Sequence, residues 1–234
     1  MSPNEKNSPQ NDAGVSRRRF VAGAATIAGA AAAVPARTAL GDQESGSEVS
    51  ADISAQTQSG RLNQSVCKWC FKKMSLEEMA VEAKRLGLVG IDLLKADDFP
   101  TLKKHGLVCT MVSSHSLANG LCEPKFHEEC LNALNEAIEA ASAAGYRNVI
   151  TFSGNARGMS RKEGMKNCVK ALKEIAPVAE KAGVVLNMEL LNSRVNHPDY
   201  MCDRSDWGIE LCKQVGSDNF KLLYDIYHMQ IMEG

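Results

Sequence analysis

The sequence predicts an α/β protein, a (β/α)8 TIM barrel that is incomplete, with about six βα units present. Three features of residues 61–234 point there. Short β-rich runs alternate with helical stretches, the β-rich runs are almost continuously apolar, and glycine repeatedly closes a helix just before the next run. Strict alternation implies parallel strands joined by crossover helices. Continuous apolarity is what a strand needs when both of its faces are covered. A terminal glycine supplies the left-handed residue that ends a helix cleanly.

The elements follow in order. Leu62–Val66 is the first run, and a helix starts after Ser75, with Glu78 completing a capping box, and stops at Gly87. Val89–Leu94 is the second run, followed by a short helix over Pro100–His105 that Gly106 breaks. Leu107–Val112 is the third, and a long helix over Lys125–Ala144 closes at Gly145. Asn148–Phe152 is the fourth, with a helix over Arg161–Ala182 ending at Gly183. Val184–Leu191 is the fifth, and a helix over Ser205–Val215 leads to the sixth, Phe220–Asp225. A doubly wound sheet is the rival arrangement. It calls for a glycine-rich phosphate loop after the first strand, and Cys67–Lys73 contains no glycine. A full barrel usually takes ~250 residues, so this chain is expected to lack about two βα units. Met232-Glu233-Gly234 reads as the middle of an element, which predicts a truncated barrel.

Residues 1–40 read as an export signal rather than as part of the fold. Ser16-Arg17-Arg18-Arg19-Phe20-Val21 precedes an alanine-rich apolar stretch that runs to about Pro35, and Val34-Pro35-Ala36 offers a cleavage point. Paired arginines in front of the apolar run specify the twin-arginine version, which places the protein in the periplasm. The stretch is too short and too weakly apolar for a permanent span, so no membrane association is expected after signal removal. Residues 41–60, rich in Ser, Gly, Gln and acids, read as a flexible linker.

The chain has 27 basic and 28 acidic residues and a net charge of −1, without the basic excess of a nucleic-acid binder. A small soluble metabolite is the expected partner, with homo-oligomerisation left open. The eight cysteines are scattered through apolar segments. Cys67-Lys68-Trp69-Cys70 is a CxxC, but no second one follows, which favours buried or half-buried thiols over redox or zinc work.

Barrel chemistry sits at the C-terminal ends of strands. Glu189 falls near the end of the fifth run and Asp225 ends the sixth, with His228 one turn later. A carboxylate closing an apolar strand is costly to bury unless it is paired or binds a cation. Two of them on neighbouring strands face one mouth and can share a divalent ion; a salt bridge at the rim is the plainer alternative. Oxygen ligation suits Mg²⁺ or Mn²⁺, with Co²⁺ a further candidate. His115, after the third run, and Arg194, close behind Glu189, are weaker candidates for substrate contact. Arg194 could fork onto a substrate carboxylate. Asp92 could pair with Lys95, and His105, His127 and His197 carry no assigned role.

The stretches Asn187–Tyr200 (NMELLNSRVNHPDY) and Tyr224–Gly234 (YDIYHMQIMEG) resemble the fifth- and sixth-strand signatures of hydroxypyruvate isomerases, in the xylose isomerase-like barrel superfamily. Val66–Phe71 is a looser match to their first strand. The resemblance covers about residues 61–234. It implies a TIM barrel holding a divalent ion, with Glu189 as ligand and acid/base, Asp225 as ligand and His228 in contact with substrate oxygens. It also places a third ligand on strand seven and a second catalytic glutamate on strand eight, beyond Gly234. The implied reaction converts hydroxypyruvate to tartronate semialdehyde through an enediolate. An isomerase or epimerase acting on another sugar is the main alternative. An endonuclease IV-like DNA repair enzyme shares the spacing Asp225-x-x-His228, and a non-catalytic exported sugar-binding barrel is the remaining reading.

Overall fold

A computed structural model describes residues 62–234. The expected export signal over 1–40 and linker over 41–60 lie outside the described residues. Six parallel strands follow in chain order: β1 Ser65–Cys67, β2 Gly90–Asp92, β3 Val108–Cys109, β4 Asn148–Thr151, β5 Val185–Glu189 and β6 Phe220–Leu223. Between and after them lie α1 Leu76–Arg85, α2 Phe99–Lys104, α3 His127–Ala144, α4 Arg161–Ala182, α5 Ser205–Val215 and α6 Ile226–Glu233. Among the described residues no helix is long and apolar enough to cross a membrane.

Strand order decides between the two α/β architectures. Pairing runs β1-β2-β3 and β4-β5-β6, and a parallel bridge between Val112 and Val149 joins the two halves. Val112 N–H donates to Asn148 O at 2.9 Å and Ile150 N–H donates to Val112 O at 3.0 Å across that seam. Every strand therefore neighbours its sequence successor, with no reversal of order. That is a barrel wall; a doubly wound sheet would turn back on itself after its first strands.

Local capping chemistry bounds these elements. Ser75 accepts from Glu78 N–H at 3.2 Å while the Glu78 carboxylate accepts from Ser75 N–H at 2.8 Å, closing the capping box of α1. At α4 the Ser160 hydroxyl accepts from Glu163 N–H at 3.2 Å, one half of such a box. Gly145, Gly183 and Gly216 end α3, α4 and α5 at φ of 76°, 68° and 74°, a region that an L side chain enters only with strain. Both faces of the strands are covered, so that Ile91, Val149, Ile150, Leu186, Met188 and Phe220 are all fully buried. Two expectations shift. The third strand is shorter than Leu107–Val112: it pairs over Val108–Cys109, the chain then bends, and Val112 rejoins the ladder through isolated bridges to Leu94 and Val149. The sixth ends at Leu223, so Asp225 sits just past the strand and serves as the N-cap of α6.

Candidate active site and metal centre

The C-terminal strand ends and their loops enclose a cavity of about 1020 Å³. Glu189, the last residue of β5, stands on its wall opposite Leu223 of β6 in the parallel register. Two residues beyond Leu223, Asp225 Oδ1 accepts from His228 N–H at 3.2 Å and starts α6. That cap turns His228 back over the strand end, with its Nε2 3.8 Å from Asp225 Oδ2. One ligand atom each from Glu189, Asp225 and His228 lie within 4.8 Å of one another.

The backbone carrying Glu189 is pinned from behind. The buried Tyr200 hydroxyl donates to the Glu189 carbonyl at 3.0 Å and accepts from Ser153 N–H at 3.0 Å, tying the ends of β5 and β4 through one phenol. The Glu189 carboxylate itself has neither a hydrogen bond nor an ion pair among the described residues. Loss of hydration, and then the Asp225 charge beside it, push its carboxyl up to about 7 from an ordinary value near 4.5. Burial pulls the His228 imidazole below its usual range, and His197 adds to this while Asp225 opposes it.

This donor set fits a divalent cation. Asp92, Glu189 and Asp225 all line the cavity, and no Lys or Arg is found among its described lining residues. Like charges held together without a counterion are what a bound dication would neutralise. Glu189 and Asp225 supply hard oxygen donors. Such a cation would offer Lewis-acid polarisation of a carbonyl oxygen.

Glu189, Asp225 and His228 are thus brought together as expected from their strand positions. Two other candidates are not at the cavity. His115 Nε2 lies 2.9 Å from the Thr151 hydroxyl and its Nδ1 3.1 Å from Ser116 O, so the ring braces the end of β4. Burial takes its imidazole down to about 4. Arg194 Nη1 donates to Ile231 O at 2.9 Å and caps the far end of α6. Two further residues that carry no site role in the sequence reading line the cavity. His197 lines the cavity, its ring centroid 5.2 Å from that of His228. Asp92 accepts from the Ser65 hydroxyl at 2.9 Å and faces the cavity rather than pairing with Lys95. Cys67 is half-buried and Cys70 exposed, both with free thiols. The residue that sequence reasoning passed over is Asn192, fully buried and bonded to His228 at 2.6 Å. Its signal was a polar side chain directly after the apolar pair Leu190-Leu191.

The family model for xylose isomerase-like TIM barrels matches residues 99–234, and the chain belongs to that family. Among curated relatives, the hydroxypyruvate isomerase of Escherichia coli (strain K12) is 26% identical over 166 residues, covering 65% of this chain and 64% of that protein. The 2-oxo-tetronate isomerase of Cupriavidus necator is 42% identical over 59 residues, which is 25% of this chain and 22% of that protein. The chain therefore spans less than two thirds of the length of either relative. Two solved structures share the fold. An AP endonuclease, family 2, from Brucella melitensis superposes with a TM-score of 0.67 at 22% identity, over 74% of this chain and 72% of that one. A D-psicose 3-epimerase from Clostridium cellulolyticum H10 superposes with a TM-score of 0.61 at 17% identity, over 74% and 66%.

Proposed function

We infer that this chain carries the site of a metal-dependent aldose–ketose type isomerase, with hydroxypyruvate to tartronate semialdehyde as the favoured reaction. The observation that carries the reading is the pair of carboxylates on adjacent strand ends, Glu189 and Asp225, sharing a cavity with an imidazole and no described cationic side chain. The relatives named as isomerases support it.

The chemistry follows from the residues. Glu189, with a carboxyl poised near neutrality, is suited to take the proton α to a carbonyl and to hold it. Proton removal gives an enediolate, whose oxygens would sit near His228. The proton returns to the neighbouring carbon, the former carbonyl oxygen takes up the proton that the adjacent hydroxyl gives up, and that hydroxyl becomes the new carbonyl, so no atom is gained or lost. Asp225, fixed by its cap to α6, presents Oδ2 to the cavity as a cation donor.

The size of the cavity favours a second reading. About 1020 Å³ is generous for a three-carbon acid, and the same proton transfer on a longer ketose would be an isomerisation or epimerisation. Three acidic side chains on the wall weigh against a phosphate-backbone ligand, which asks for a positive groove. The purified full chain should bind Mn²⁺ or Mg²⁺, and in a barrel that also supplies the strand-seven ligand and strand-eight glutamate the resemblance implies, a side-by-side profile of hydroxypyruvate and free ketoses chooses between the two substrates. Glu189→Gln should abolish turnover. Near-normal turnover by that variant would overturn the assignment. Export to the periplasm belongs to the same proposal: Arg17→Lys with Arg18→Lys should hold the protein inside the cell, and unchanged export would remove it.

A further inference from the structure

Asn192 stands directly behind His228 and is bonded on every side. Its Oδ1 accepts from the backbone N–H groups of Val195 and Asn196 at 3.0 and 2.9 Å. Its Nδ2 lies 2.9 Å from Asn196 Oδ1 and 2.6 Å from His228 Nδ1. A primary amide has two acceptor lone pairs and two donor hydrogens, and here all four are engaged. Asn196 Oδ1 is fixed in turn, because the Tyr227 hydroxyl also donates to it at 2.8 Å. Rotating the Asn192 amide by half a turn would set its NH₂ against two backbone N–H groups and its carbonyl against the Asn196 oxygen. The side chain is fully buried, so no water can repair such losses. Its orientation is therefore set by the loop backbone, independently of the histidine.

That orientation dictates the histidine's chemistry. An amide hydrogen points at His228 Nδ1, which must accept, and an accepting Nδ1 carries no proton. The proton of the neutral ring then resides on Nε2, the nitrogen on the Asp225 side of the cavity.

We propose that Asn192 is a positioning residue that fixes His228 in its Nε2–H form, so that the substrate contact the resemblance already implies for this histidine is made as a hydrogen-bond donor. The loop after β5 thereby divides the three cavity groups into two oxygen ligands and one donor. The substrate's part rests on the isomerase reading; the position of the proton does not. A neutral donor aimed at an enediolate oxygen strengthens as charge develops there, and it leaves the cation to Glu189 and Asp225.

The experiment is nitrogen NMR of the full chain with ¹⁵N-labelled histidine, the His228 signals being assigned by their loss in His228→Gln. Spectra and rates are taken on the alkaline plateau, where the ring is neutral. The wild-type chain should show the proton on Nε2. Asn192→Asp keeps an oxygen for the two backbone donors and turns a second oxygen on Nδ1, so the proton should move to Nδ1. Turnover should fall ~10²–10³-fold in kcat with a smaller change in KM, the loss typical of one oxyanion donor. Should the aspartate variant fail to fold, Asn192→Ser, able to donate or accept, should give a mixture of the two forms. A wild-type proton on Nδ1 overturns the proposal. So does an Asn192→Asp ring, or an Asn192→Ser ring, that keeps the wild-type form. A switched proton with unchanged kcat overturns the donor role. If the wild-type chain neither binds Mn²⁺ nor isomerises any substrate while the spectra behave as expected, the isomerase reading fails and the positioning stands.

Discussion

Replacing Glu189 by glutamine should strengthen the metal-free fold while destroying the site. The carboxylate is mostly buried, faces Asp225 and has no hydrogen-bonding partner among the described residues, which together lift its carboxyl from an ordinary 4.5 to about 7. A carboxyl that binds its proton more tightly folded than unfolded favours the folded state below about pH 4.5. That contribution is lost as pH rises through about 7. The displacement corresponds to at most about 3 kcal/mol between the two limits, and relaxation or water entry will bring it nearer to about 2 kcal/mol. Glutamine has nearly the same shape and never ionises. Urea unfolding in the presence of a chelator should show Glu189→Gln more stable than wild type by about 2 kcal/mol at pH 8, with the difference vanishing by pH 4.5. Adding Mn²⁺ should reverse the order, since only wild type retains the full ligand pair. A variant no more stable than wild type at pH 8, or a difference that does not vary with pH, would refute the reasoning that Glu189 is an uncompensated charge.

The same proton governs metal affinity. Because Glu189 must release it to become a ligand, Mn²⁺ affinity measured by calorimetry should fall roughly tenfold per pH unit below about 7, with matching proton release in buffers of different ionisation enthalpy. Removing His115 or Arg194 should act on the fold alone. His115→Ala should cost about 1–3 kcal/mol in thermal or urea unfolding by stranding Thr151 and the end of β4, with KM unchanged; a raised KM would restore it to the site. Gly120→Ala would place a Cβ 2.3 Å from the Gly154 backbone nitrogen, where the loops after β3 and β4 touch, and should cost about 3 kcal/mol by chemical denaturation.

Backbone events announced themselves in the sequence because they depend on neighbouring residues. Ser75 with Glu78, and glycine at 145 and 183, mark helix ends by local chemistry that tertiary packing did not override. Glu189 and Asp225 were legible for a related reason: a carboxylate at the end of an apolar run is a local anomaly. What a polar side chain bonds to is settled across the fold. His115 looks free in sequence, yet Thr151 Oγ1, 36 residues away, is the partner of its ring. Arg194 suggests an anion clamp, but the carbonyl of Ile231 reaches it first. Asn192 drew no attention because an asparagine after a strand is ordinary turn chemistry, and only the return of α6 reveals that it faces an imidazole.

Asp225 has two oxygens with two employers. One ends in the first turn of α6 through the His228 amide, and the other looks into the cavity. Any ion drawn to the second oxygen stiffens the carboxylate that the first uses to nucleate the helix, and the helix in turn holds His228 in place. Ligand occupancy and the onset of α6 are consequently one cooperative event, so amide exchange in residues 226–229 should slow whenever the site fills, reporting binding from the backbone without reference to turnover.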